Sequence, residues 1–203
     1  MTALHTYAAG FGATLRARPA TEPVPGDGGV VVVVPTDTWV DIDDLLADPR
    51  PDTSSAILVA PDLQRDGFTP NVVATTSVIT PAVPADGLLG AVEASMDGVE
   101  GWRVRARVVT PRGGGAAGGD GNDGDDGRAD ANHDHNDDDD DNSTDLTLDL
   151  VAEYRVGQLE LALSSLVRAR SSGGQTVLWQ IHVTTLADQL SHHGAALEAA
   201  RLG

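Results

Sequence analysis

The sequence predicts an α+β domain, a sheet of about six or seven strands flanked by helices. Three observations carry that expectation. Phe68 to Thr80 is the longest β-rich run ahead of a strongly acidic tract. Two later segments, Trp102–Thr110 and Leu146–Tyr154, alternate apolar and polar residues at the period of a strand. Ahead of both, Pro84 to about Gly98 places Leu88, Leu89, Val92 and Met96 in the stripe of an amphipathic helix.

Taken in order, residues 1–29 combine a weak helical pattern (Leu4, Tyr7, Ala8, Phe11, Leu15) with Pro23, Pro25 and Gly26–Gly29, and are expected to form a flexible N-terminal arm. Residues 30–203 then make a single domain. Val30–Val34 reads as a buried strand ended by Pro35, followed by Trp39 as a core anchor and a short helix capped by Asp41 or Asp43. Ala56–Pro61 is a second apolar strand, and Asp62–Gly67 a polar turn delivering the chain to Phe68. The helix at Pro84 covers the sheet.

In Trp102–Thr110 the arginines 103, 105 and 107 share the outer face, where they meet Asp149 and Glu153 of the second alternating strand. Exposed pairs of this kind contribute a fraction of a kcal/mol each. Residues 113–142 become a disordered acidic insertion in that hairpin, which closure entropy tolerates because it grows only logarithmically with length. Leu159–Val167 is a strand with a bulge expected at Ser164-Ser165, Ser171–Gly174 is a hairpin turn, and Val177–Val183 is the next strand. A terminal helix is expected from Thr185 or Leu186 to about Leu202.

Composition narrows the function. The 203 residues carry a formal charge of −18, and all thirteen cations are arginine. Eleven of the 31 acids lie between Asp120 and Asp141, leaving 20 acids against 12 arginines elsewhere. An acidic body argues against nucleic acid or an anionic membrane as partner, because either requires cations gathered on one face. The absence of cysteine excludes disulfides, thiolate zinc sites, a cysteine nucleophile and an acyl-anchor cysteine. Met1–Arg18 lacks the charge order of a secretory signal and no apolar run approaches the ~18 residues of a membrane span, so a cytoplasmic location is expected.

The acidic insertion holds the metal-ligand candidates His133, His135, Asp137 and Asp138. Gly118–Asp123 matches the start of a calcium nonapeptide repeat, but Asp125 stands where the repeat needs an apolar residue and no second repeat follows. Dense carboxylates without fixed geometry give weak divalent-cation association, and neither a resident metal nor a cofactor is expected. His192-His193 reads as a solvated pair. For nucleophilic chemistry the raw materials are His182, Gln180, Ser164, Ser165 and Asp188. No nucleophile elbow, zinc-protease helix or phosphate loop is present, the last needing a lysine this chain lacks.

The order of features, a strand ending in Pro35, Trp39 just after it, Phe68-Thr69-Pro70-Asn71-Val72-Val73, a helix, paired strands and a last strand before a terminal helix, resembles the actinobacterial LpqN/LpqT-type family over about residues 30–195. That resemblance implies a PsbP-like α/β/α sandwich on a central antiparallel sheet. It implies no catalytic residues. Phe68, Pro70 and Asn71 match its motif, Pro70 fixing φ and Asn71 shaping the strand entrance. The family's lipoprotein members carry a signal and an acylated cysteine, which this sequence does not match. The expected function is a non-enzymatic binding or accessory protein that engages a protein partner through one face of the sandwich, the partner belonging to a secretion or cell-envelope system. The alternative is a small-molecule-binding domain or a weak hydrolase-like enzyme centred near His182.

Overall fold

The computed structural model describes residues 2–18, 39–46, 55–112 and 143–190. They build one eight-stranded antiparallel sheet. Its strands are β1 (Thr14–Arg18), β2 (Val40–Asp41), β3 (Ser55–Val59), β4 (Asn71–Thr80), β5 (Arg103–Pro111), β6 (Thr144–Val156), β7 (Leu159–Ser172) and β8 (Gln175–Leu186). The helices are α1 (Ala3–Gly10), α2 (Ile42–Leu45) and α3 (Ala85–Ala94). The order across the sheet is β2-β3-β4-β8-β7-β6-β5. β4 is central: β8 runs along one side, while β3 pairs its first half and β1 its second on the other.

β6, β7 and β8 form a long meander. The turn between β7 and β8 uses Gly173 and Gly174, both at positive φ (58° and 78°), which the two-residue hairpin geometry requires. The sheet buries both faces. Leu178, Ala169, Val167, Leu148, Leu150 and Ile79 meet Leu88, Leu89 and Val92 of α3 and Ala8 of α1 on one side. Trp39, Val72, Ala74, Trp179, Ile181 and Val183 form the other core. Trp39 is the anchor expected of it, and Asp41 caps α2 by accepting from the Asp43 amide at 2.9 Å.

Several elements differ from the sequence expectation. In place of an arm, residues 3–18 form α1 and β1, because Ala8, Leu4, Tyr7 and Leu15 find apolar partners over α3 and β4. α3 ends at Ala94 instead of near Gly98, since the Ser95 amide is shared by the Ala91 and Val92 carbonyls and its hydroxyl donates to Val92 O at 2.6 Å, tightening the last turn. β7 runs through Ser164-Ser165 without a bulge, both serines keeping ladder partners in β6 and β8. The chain stays extended through Leu186, where a helix was expected to start, because Thr185 and Leu186 pair with Ala162 and Leu161. The Val30–Val34 strand, the acidic insertion with its metal candidates, and the terminal helix beyond 190 lie outside the described residues. No helix among those described is long and apolar enough to cross a membrane.

α1 is fastened to α3 at one tight point. A Cβ at Gly87 would lie 2.1 Å from the Tyr7 hydroxyl oxygen, which donates to Pro84 O at 3.2 Å. Gly87→Ala is therefore expected to push α1 off its seat at a cost of about 1–3 kcal/mol. Hydrogen exchange should show α1 amides losing protection while β7 and β8 keep theirs.

Candidate functional site

The ladder brings two of the sequence candidates together. In register, His182 of β8 lies opposite Ser165 of β7 and Val73 of β4, so their side chains share the α3 face of the sheet. Ser165 Oγ lies 2.7 Å from His182 Nδ1. Ser164 sits one residue earlier and so projects to the opposite face, against Val183 and Val151. Gln180 shares the His182 face and donates to Thr75 Oγ1 at 3.4 Å.

Asp188 does not join them: both its carboxylate oxygens take Arg65 Nη2 at 2.6 Å on the exposed surface. Burial alone pushes the partly exposed His182 imidazole down from 6.5 to about 4. A carboxylate close by would have raised it. The ring is therefore neutral at pH 7 and hydrogen-bonded to a serine, but among the described residues it has no acid to orient it, and it is a weak base for proton abstraction.

This depression makes a signed prediction. Unfolding restores the ordinary histidine pKa, so the unfolded chain takes up a proton between about pH 6.5 and 4 that the folded chain refuses. Stability from this residue is complete above pH 6.5 and falls as pH drops towards 4. Each unit of difference corresponds to about 1.4 kcal/mol, so the loss is on the order of 2–3 kcal/mol. Urea unfolding at pH 7 and pH 4.5 should show that His182→Gln loses about 2 kcal/mol less than the wild type on acidification.

Phe68, Pro70 and Asn71 form part of a scaffold. Arg65 and Phe68 exchange backbone hydrogen bonds at 3.0 and 2.9 Å, the buried Pro70 accepts from the Ala60 amide at 3.0 Å, and Asn71 opens β4 between Val59 and Thr184. Among the described residues no group of His, Asp and Glu side chains could hold a metal ion.

The arginine strand departs from its expected arrangement. β5 carries a bulge between Val104 and Ala106, and Arg105 is the extra residue. Arg103 stays opposite Glu153, and Arg105 pairs with the same carboxylate. Arg107 is thrown to the other face, where it lies opposite Leu150 and donates to Glu93 of α3 at 2.8 Å. Asp149 faces Val108 instead of an arginine, and burial raises its carboxyl above the usual range. β5 is exposed along its whole length, with Val104, Val108 and Val109 at 42, 55 and 38 % exposure. A sequence reading misses this site because strict alternation gives no sign of the bulge.

No family model and no curated protein matches the chain. Several solved structures are similar, among them the following two. LpqN of Mycobacterium tuberculosis, described as involved in cell envelope biogenesis, aligns with a TM-score of 0.61 at 13 % identity over 96 % of this chain and 91 % of its own. PA94 of Pseudomonas aeruginosa, of unknown function, aligns with a TM-score of 0.42 at 14 % identity over 76 % of this chain and 84 % of its own. What the first likeness shows is the architecture: an open antiparallel sheet with few helices, arranged as in LpqN.

Proposed function

We propose that this chain is a non-catalytic accessory protein that binds a protein partner along the β5 margin of its sheet. The observation that carries this reading is the edge itself. Among the described strands β5 pairs with β6 alone, leaving its other row of amides and carbonyls open, and three valines stand exposed within six residues. An open edge with apolar side chains suits the addition of an extended segment from another protein, backbone bonds giving affinity and side chains register. Arg103, Arg105 and Arg107 favour a segment bearing carboxylates and disfavour a second copy of the same strand. The envelope setting of LpqN agrees with a partner in a secretion or envelope system.

A photo-reactive side chain at position 108 tests this. A specific protein adduct is expected, and Val109→Asp should lower its yield by about fivefold or more with an unchanged melting temperature. Adducts that ignore Val109→Asp count against the edge as the docking site. The Ser165–His182 contact supports a second, hydrolase-like reading. A fluorophosphonate probe decides between them: no labelling is expected, and stoichiometric modification of Ser165 would establish the enzyme instead.

A further inference from the structure

Where the turn before β5 folds back over the end of β6, the surface closes into a cavity of about 230 Å³ lined by Gly101, Arg103, Arg105, Glu153, Tyr154, Arg155 and Glu160. Its walls are held from several sides. The Arg155 amide donates to Glu100 O at 2.8 Å, and Gly101, at φ +71°, brings its backbone against Arg155, where an added Cβ would stand 3.4 Å from the Arg155 Cβ. Trp102 packs on Tyr154 with ring centroids 6.2 Å apart.

Three guanidiniums face two carboxylates here, a local excess of positive charge in a chain of net charge −18. The carboxylates leave donors unused. Glu153 takes one Arg105 nitrogen, and Glu160 takes one Arg155 nitrogen at 3.2 Å with both side chains more than half exposed. Arg103 makes no contact ion pair among the described residues, although it stands opposite Glu153 and its charge helps to lower the Glu153 pKa. A guanidinium has five N–H donors in a planar fork matched to carboxylate and phosphate oxygens, so this cluster retains most of its capacity.

We propose that this cavity is a binding site for a small-molecule oxyanion, a phosphate or carboxylate compound, with Arg103 as the principal anchor and Arg105 and Arg155 as flanking donors. The cavity is below the ~300–1,000 Å³ of a drug-sized site, which suits a compact polar ligand. Glu153 and Glu160 act as counter-ions that hold the arginines in place while the site is empty, and an entering anion competes with them. The site shares Arg103 and Arg105 with the β5 edge but does not depend on the protein-partner reading: it would bind its anion whether or not the edge captures a protein.

Calorimetric titration of the full chain with pyrophosphate and with citrate, at matched ionic strength, tests the proposal. Saturable one-to-one binding is expected. Arg103→Gln should weaken it by about tenfold or more, whereas Glu160→Gln should tighten it by about threefold. Both residues are at the surface, so an unchanged melting temperature confirms that the variants fold. Tighter binding of pyrophosphate assigns the site to phosphate compounds, and tighter binding of citrate to carboxylates; either supports the site. The proposal is overturned if neither probe saturates, or if Arg103→Gln leaves the affinity within about twofold of the wild type.

Discussion

Trp179→Ala should lower the unfolding free energy by about 3–5 kcal/mol, the largest loss expected from a single truncation in this sheet. Trp179 is 2 % exposed in β8, between Thr76 of β4 and Arg168 of β7, and is the largest fully buried side chain among the described residues. Its removal leaves a void under Trp39, Val72 and Ala74, and the paired strands cannot collapse into it without breaking register. It also strips the aromatic surface from Arg168, whose guanidinium carbon sits 5.1 Å from the ring centroid. With total stabilities of about 5–15 kcal/mol for domains of this kind, the variant should be marginal at 37 °C. Urea denaturation followed by far-ultraviolet dichroism checks this. A Trp179→Phe variant should recover most of the loss.

Asp145→Ala should cost about 3 kcal/mol, although Asp145 is only the second residue of its strand. The reason is Arg168, which donates through Nε to Asp145 Oδ1 at 3.0 Å and through Nη2 to Oδ2 at 2.6 Å, a two-pronged contact with side chains only 10 and 14 % exposed. Removing the carboxylate leaves a nearly buried guanidinium without its closest counter-charge. By contrast, the Arg105–Glu153 and Arg155–Glu160 pairs are exposed, and breaking either should change stability by less than about 1 kcal/mol. A double-mutant cycle with Arg168→Met measures the coupling directly, and the double variant should be more stable than Asp145→Ala alone. An additive cycle would mean that the pair contributes nothing to the fold.

The contrast between these ion pairs bears on what a sequence can reveal. Arg168 and Asp145 are ordinary charged residues in alternating strands, and nothing in their spacing marks them as a pair. They meet because Asp145 stands next to Thr147, the residue opposite Arg168, so the two are diagonal neighbours on one face. The anion cavity has the same origin: Gly101–Arg105 comes from the entry to β5, while Glu153–Arg155 and Glu160 come from the β6–β7 hairpin. Ser165 and His182 are also 17 residues apart and meet only through the β7–β8 register.

By itself the sequence determined the local pieces: the β4 run, the α3 stripe, a cap at Asp41 or Asp43, the glycine turn between β7 and β8, and the α+β class they add up to. Those follow from side-chain periodicity and backbone preference within a few residues, which no distant partner has to supply. The tertiary structure decided that residues 3–18 join the sheet and the α3 layer, that β7 runs straight while β5 carries the bulge, and that Arg107 leaves the face of Arg103. Each of these depends on pairing between strands far apart in the chain. A one-residue change in that pairing exchanges the two faces of a strand, so both candidate sites exist only once the register is fixed.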